Sequence, residues 1–385
     1  MELAQSLRAE ARRADERRLL VLAGPPDQTR ARAAEALSAA DIPARETTVL
    51  GPESVVDCER HDQRRAAELL GRTQSAVVVD AHEACRPNAL GTAAGAVDGG
   101  GLLVLLTPPL DEWPNATSGF ERMLASPPFD VGTVGNRFKR RLVRTLRSHR
   151  GIGIVDVDSD RRLKRGATDP APRRTEKSET VPETHSFPTA LYEACRTTDQ
   201  RDAVLRCEQL SESGTAVVLE ADRGRGKSSA AGFAAAALAV EGAAVLVTAP
   251  SYRNATELFD RATEALRALD SLAIDDRDGS NRPELRSISG GTVRFHTPES
   301  ATEASADVLF VDEAATLPVR RLEALLSVAD STCFTTTVRG YEGTGRGFDV
   351  RFRDHLEEVR TVTAMTLSDP IRYASADPIE VWLFR

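Results

Sequence analysis

The sequence predicts an α/β protein of two parallel-sheet, three-layer domains, the second built on a phosphate-binding loop. Three observations carry this expectation. Residues 1–157 alternate continuous apolar runs with helical stretches. Residues 158–188 are charged, rich in Pro, Ser and Thr, and nearly devoid of large apolar groups. An apolar run, a glycine-rich turn and an alanine-rich run then follow one another over residues 215–240. Unbroken apolar strands separated by helices are the pattern of a parallel sheet covered on both faces.

Taken in order, Arg18 to Gly24 (RLLVLAG), Ser75 to Asp80 (SAVVVD) and Gly101 to Thr107 (GLLVLLT) read as strands. Thr29 to Ala40 and His61 to Leu70 read as the helices between them. The loop Gly24-Pro25-Pro26 lacks the Gly-Lys-Ser/Thr of a phosphate loop, so no nucleotide is assigned to this domain. The stretch 158–188 reads as a linker or mobile insertion. From Thr189 the α/β pattern resumes: a domain over 189–368, then a short segment, 369–385, that leads onward. No internal repeat of fixed period is apparent.

Composition narrows the function classes. The 385 residues carry 50 basic and 58 acidic side chains, a net charge of −8, with only four lysines: 139, 164, 177 and 227. An acidic chain does not bind polyanions indiscriminately, so any nucleic-acid surface must be a local arginine patch. No run of 18 apolar residues is present, and the charged N-terminus lacks the apolar core of a signal peptide. The five cysteines, at 58, 85, 195, 207 and 333, are scattered and odd in number, which fits reduced thiols in a cytoplasmic protein.

The chemistry concentrates in the second half. Thr215 to Glu220 reads as a buried strand and Lys227 to Val240 as a helix, with Ala221-Asp222-Arg223-Gly224-Arg225-Gly226 as the turn between them. In such a turn, backbone N–H groups and the helix N-terminus face an anion. The pattern predicts ATP or GTP binding, with Gly224, Arg225, Gly226, Lys227, Ser228 and Ser229 around the phosphates. Lys227 would reach the β/γ-phosphates and Ser228 would ligate Mg²⁺. Ala221 departs from the usual glycine at the first position. Val308 to Ala315 (VLFVDEAA) is an apolar strand ending in two carboxylates, 85 positions after Lys227. Asp312 would hold the Mg²⁺ shell and Glu313 would polarise the attacking water. Cys333 to Val338 reads as another core strand, its threonines ending near the γ-phosphate. It leads into a run with four glycines in eight residues, 340–347, flanked by Arg339 and containing Arg346. Those two arginines are candidates for neutralising γ-phosphate charge, gripping RNA, or making a structural ion pair. The turn Thr248-Ala249-Pro250-Ser251 is a candidate nucleic-acid contact or a plain strand-to-helix turn. Gln200, 27 positions before Lys227, either reads an adenine edge or belongs to a helix-capping segment.

Together these residues resemble the archaeal and bacterial tRNA(Met) cytidine acetyltransferase family. In the first domain the likeness rests on Asp80-Ala81-His82-Glu83, Pro87-Asn88-Ala89-Leu90-Gly91, Gly99-Gly100-Gly101-Leu102-Leu103 and the run from Pro108 to Pro114. In the second it rests on Arg223 to Ser228, Phe310 to Ala315 and Thr336 to Phe348, then Asp369 to Ala374, Asp377-Pro378 and Trp382-Leu383. The resemblance implies a RecA/helicase-like ATPase domain, using ATP and Mg²⁺, joined to an N-acetyltransferase domain that uses acetyl-CoA. It implies acetylation of N4 of the wobble cytidine of elongator tRNA(Met), and it adds Arg372 to the candidates, leaving open which of Arg339, Arg346 and Arg372 faces the nucleotide. The sequence stops at Arg385, about where the transferase would begin, and has no Gln/Arg-x-x-Gly-x-Gly/Ala segment after a strand. The expectation is therefore the ATP-hydrolysing, RNA-remodelling portion of such an enzyme, with acetyl transfer supplied by a separate domain. The alternatives are an ATP-binding RNA-interaction module and a freestanding helicase-like ATPase.

Overall fold

The structure is a computed structural model that describes residues 2–69, 72–168, 180–222, 224–277, 283–337 and 352–384. It divides into two compact units: residues 1–175 together with 372–385, and residues 176–371.

The first unit holds strands β1 (Arg18–Ala23), β2 (Thr47–Leu50), β3 (Glu59–His61), β4 (Gln74–Asp80), β5 (Val97–Thr107), β6 (Ile152–Asp156) and β7 (Arg161–Lys164). Among the described residues they form one sheet in the order β3-β2-β4-β5-β1-β6-β7, parallel except for β7. Every residue of β1 is buried: the apolar run Leu19–Ala23 lies between two helical layers, and Arg18 is paired with Glu10 and Glu16. Side-chain alternation divides it between the faces. Leu19 and Val21 pack with Leu90, Leu146, Ile379 and Trp382, whereas Leu20 and Leu22 pack with Leu3, Leu7 and Leu37. The helix Pro26–Ala39 confirms the expected one after β1. The stretch expected as a helix over 61–70 is instead the end of β3 followed by a 3₁₀ segment, Gln63–Leu69. Edge strand β7 comes from the segment read as a linker.

The second unit holds β8 (Thr215–Ala221), β9 (Ala244–Thr248), β10 (Leu272–Asp276), β11 (Glu284–Ser287), β12 (Thr292–His296), β13 (Val308–Val311), β14 (Ser331–Thr337) and β15 (Thr361–Leu367). Their order is β10-β11-β12-β9-β13-β14-β8-β15, and all neighbours from β12 to β15 run parallel. The alanine-rich helix Lys227–Val240 buries twelve of its residues, because it lies between the sheet and two further helices. Small side chains allow that close approach. At Gly232 a Cβ would stand 2.4 Å from the carbonyl oxygen of Leu258 on the helix Tyr252–Ala268.

The two sheets share one plan that the sequence does not reveal. Read from the far side, the first runs β6-β1-β5-β4-β2-β3, and the second runs β15-β8-β14-β13-β9-β12. Matching strands in chain order, the two lists are the same. The α/β fold with two largely parallel sheets is thus as expected, and the second sheet is that of a P-loop domain.

Candidate nucleotide site

The site forms where strands of the second sheet end at their carboxyl edge, where ligands of open α/β sheets bind. The chain leaves β8 through two left-handed glycines, Gly224 (φ +77°) and Gly226 (φ +84°), and enters the helix at Lys227. Glycine at 226 answers two demands at once. Its φ is one that L side chains rarely adopt, and a Cβ there would stand 2.1 Å from Gln200 Nε2 and 2.4 Å from Ile371 Cδ1.

Two strands away, β13 delivers Asp312, whose N–H donates to Thr248 O at 2.8 Å and so prolongs the sheet by one residue. Asp312 is fully buried. Its Oδ1 accepts from Ser228 Oγ (3.1 Å), from the Glu313 N–H (3.0 Å) and from Thr335 Oγ1. Among the described residues its Oδ2 has no hydrogen-bond partner. Burial pushes the Asp312 carboxyl above its ordinary range, against the pull of the Lys227 ammonium and the two hydroxyls. A buried carboxylate with one idle oxygen beside a serine hydroxyl is a hard-oxygen donor set that suits Mg²⁺ completed by water and phosphate.

Glu313 sits in the left-handed region (φ +54°, ψ +42°), a conformation costing about 1–2 kcal/mol for a side chain of this kind. That turn lifts its carboxylate off the strand axis. Oε1 lies 3.1 Å from Lys227 Nζ, and Oε2 accepts from Thr337 Oγ1 at 3.1 Å. Strand β14, lying between β8 and β13, therefore braces both acids: Thr335 holds Asp312 and Thr337 holds Glu313. In this arrangement the carboxylate stands where Lys227 would otherwise offer its charge to a phosphate.

Beneath the loop, Gln200 is buried. Its Oε1 accepts from the Arg196 N–H (2.8 Å), and its Nε2 lies 3.4 Å from Gly226 O. The capping reading of this segment also has a counterpart, since Thr197 Oγ1 accepts from the Gln200 N–H at 3.1 Å. Asp199 receives the N–H groups of Ser368 (2.5 Å) and Asp369 (2.8 Å), and the Ile371 N–H donates to Gly224 O at 3.1 Å. The stretch leaving β15 thus laces the helix start to the phosphate loop, a connection that no local sequence signal announces. Ser229 spends its hydroxyl on Glu257 (2.8 Å), and Arg225 is buried. Arg372 belongs to the first unit, where its guanidinium donates to the carbonyls of Arg72 (3.2 Å) and Gly95 (3.5 Å). Arg339, Arg346 and Arg223 lie outside the described residues.

The corresponding corner of the first unit is filled by its own side chains. Asp80, at the end of β4, faces Arg30 Nε (3.0 Å) and His82 Nδ1 (2.7 Å), while His82 Nε2 lies 3.0 Å from Gly24 O. Burial alone would raise the Asp80 carboxyl, but the hydrogen bonds from His82 and Arg30 hold it below its usual range. Here Arg30, on the helix Pro26–Ala39, takes the place beside the strand-end acid that Lys227 and Ser228 hold in the second unit.

Residues 1–157 match the family described as tRNA(Met) cytidine acetyltransferase TmcA, N-terminal, and residues 218–385 match RNA cytidine acetyltransferase NAT10/TcmA, helicase domain. The tRNA(Met) cytidine acetyltransferase TmcA of Haloarcula marismortui is 57% identical over 390 residues, covering 100% of this chain and 50% of the relative. That of Haloferax volcanii is 50% identical over 394 residues, covering 100% and 51%. That of Methanopyrus kandleri is 38% identical over 332 residues, covering 82% and 38%. The chain spans about half the length of the first two relatives. Two matched segments in the same order, read with the loop and its paired acids, show that the chain belongs to the tRNA(Met) cytidine acetyltransferase family, through its N-terminal and helicase domains.

Proposed function

We propose that this chain is the ATP-hydrolysing, RNA-remodelling portion of a cytoplasmic tRNA(Met) cytidine acetyltransferase. The observation that supports this best is the pairing of Lys227 with Glu313 and of Ser228 with Asp312 across the bracing strand β14. When ATP enters, Lys227 exchanges the Glu313 carboxylate for the β/γ-phosphates, and the released Glu313 orients the attacking water. The N–H groups of Gly224, Arg225 and Gly226 cradle the phosphates, with Ser229 close by and Gln200 towards the adenine. Ser228 and Asp312 would hold Mg²⁺, which would supply neutralising charge to the phosphate oxygens. Arg339 and Arg346 are the candidates for the remaining charge or for RNA, while Arg372 is engaged with the carbonyls of Arg72 and Gly95. Catalysis in this scheme is positioning plus electrostatics, as phosphoryl transfer requires.

Hydrolysis would be used to present a cytidine of elongator tRNA(Met). Unstacking one base costs a few kcal/mol, which ATP coupling can supply. Acetyl-CoA would serve a transferase domain other than these two units, on the same or a separately encoded polypeptide. The test is phosphate release by this chain with and without tRNA(Met), with acetyl-CoA consumption followed in the same mixture. RNA-stimulated hydrolysis that vanishes in Lys227→Ala, without acetyl-CoA use, is the expected result. Undiminished hydrolysis in Lys227→Ala would sink the assignment.

A further inference from the structure

The helix Arg137–Ser148 (RFKRRLVRTLRS) of the first unit has two faces of opposite kind. Lys139, Leu142, Val143 and Leu146, at i, i+3, i+4 and i+7, are buried, and the lysine is held by Glu121 at 2.9 Å and by the Ala116 carbonyl at 2.6 Å. Arg137, Arg140, Arg141 and Arg144, at the same spacing on the other side, are exposed. The stripe of these four spans two turns, about 10 Å at the ordinary helical rise.

None of the four guanidinium groups has a carboxylate partner among the described residues, and the first turn of the helix contains no acid. What gives the stripe meaning is its clustering, since other exposed arginines without a carboxylate partner among the described residues, such as Arg64, Arg206, Arg253 and Arg320, do not repeat along one helix face. In this acidic chain, Arg32, Arg65, Arg72, Arg261, Arg267, Arg277 and Arg286 all sit on carboxylates, and even Arg147, one turn further along the same helix, reaches Asp111 at 2.7 Å. The stripe also works against its own helix. The pairs 137/140, 137/141, 140/144 and 141/144 place like charges at i,i+3 or i,i+4, and Arg137 stands at the positive end of the helix dipole. Four bare cations that weaken the element carrying them are accounted for by a polyanion that lies along the stripe.

We infer that this arginine face binds the phosphodiester backbone of RNA. The inference rests on the reading of the chain as an RNA-remodelling ATPase, which selects RNA among polyanions. Arginine suits the task because its planar fork pairs with phosphate oxygens and stays charged at every working pH. A backbone contact of this kind positions the RNA without reading its sequence.

The test uses the full chain and an unmodified tRNA transcript, with binding measured across a series of salt concentrations. One variant carries Arg137→Gln, Arg140→Gln, Arg141→Gln and Arg144→Gln; a second carries lysine at the same four positions. Each lost phosphate contact lowers the slope of log K against log salt by about 0.7–0.9, so the glutamine variant should lose about 3 from that slope and bind at least tenfold more weakly near 0.1 M salt. The lysine variant should keep most of the affinity, and ATP hydrolysis without RNA should be unchanged in both. Parent-like affinity and slope in the glutamine variant would overturn the inference, and so would equal losses in both variants, since those would mark a merely structural helix. So would binding of the parent to vesicles containing anionic phospholipid, abolished by glutamine while tRNA binding persists. If tRNA still stimulates hydrolysis equally in the parent and the glutamine variant, the arginine face falls and the ATPase reading stands. If the parent neither binds tRNA nor responds to it, both fall.

Discussion

Replacing Glu313 by Gln keeps the shape and the hydrogen-bonding reach of the side chain and removes its charge. The left-handed backbone at 313 costs glutamine about what it costs glutamate, so the loop is not relaxed by the change. Two effects of opposite sign follow. Without the carboxylate the attacking water loses its acceptor, and the rate of phosphate release should fall 10²–10⁴-fold, about 2.7–5.4 kcal/mol of barrier. Lys227 simultaneously loses the partner it holds at 3.1 Å. Lys227 is 9% exposed and Glu313 29%, so the pair is only partly screened, and its release is worth about 1 kcal/mol, roughly a fivefold gain in ATP affinity. The expected variant is thus a trap that holds ATP at least as tightly as the parent and scarcely turns it over. Single-turnover phosphate release and equilibrium titration with a fluorescent ATP analogue measure the two halves separately. A rate within threefold of the parent would refute the assignment of Glu313. Weaker ATP binding would refute the exchange of Lys227 from carboxylate to phosphate.

Three further outcomes are expected. Gly226→Ala should lower ATP affinity more than tenfold with the fold intact by circular dichroism, because the new Cβ collides with Gln200 and Ile371 at a φ of +84°; parent-like binding would show that the loop can shift freely. Thr335→Val removes a hydroxyl donor from the fully buried Asp312 and should raise the Mg²⁺ concentration needed for half-maximal hydrolysis several-fold, in line with a penalty of about 1–3 kcal/mol for the lost bond; an unchanged Mg²⁺ titration would dissociate Asp312 from the metal. Asp377→Ala removes the carboxylate to which Arg17 makes three hydrogen bonds through its backbone and side chain, and leaves that guanidinium buried without its counter-charge. Thermal unfolding should reveal a loss of about 3–5 kcal/mol, and a variant as stable as the parent would contradict the burial of the pair.

The parts of this architecture that were legible in the sequence are those where one strong local signal coincides with one element. Strand β8, the glycine turn and the helix from Lys227 to Val240 were readable because a mostly apolar run, two glycines and an alanine-rich run can scarcely be arranged otherwise. Strands β1, β4 and β5 were readable for the same reason. Strand β2 has four residues and β3 consists of Glu, Arg and His, so neither carries enough periodicity to be seen. Strands β10 to β12 form an edge that alternates or is exposed, and the stretch yields to no apolar-run criterion. Asp312 and Glu313 were legible as a pair, but the backbone inversion that separates their tasks depends on the tertiary setting. The grip of Asp199 and Ile371 on the loop joins residues more than a hundred positions apart and has no signature at either end. The common plan of the two sheets is hidden because Gly24-Pro25-Pro26 and Arg30 replace the motif that would have announced it.

The return of residues 372–384 to the first unit sets a constraint on how this protein is made. The first unit is encoded first, yet its core receives Ile379 and Trp382 only after the second unit has been encoded. Until those residues leave the ribosome, Arg17 lacks Asp377 and the ring of Tyr373 that lies 3.5 Å from its guanidinium carbon. The nascent N-terminal sheet must therefore wait, incompletely packed, while about two hundred intervening residues are synthesised and build the ATPase around their own core, the reverse of the usual N-terminal-first order. Of these two units, the one translated first is completed second.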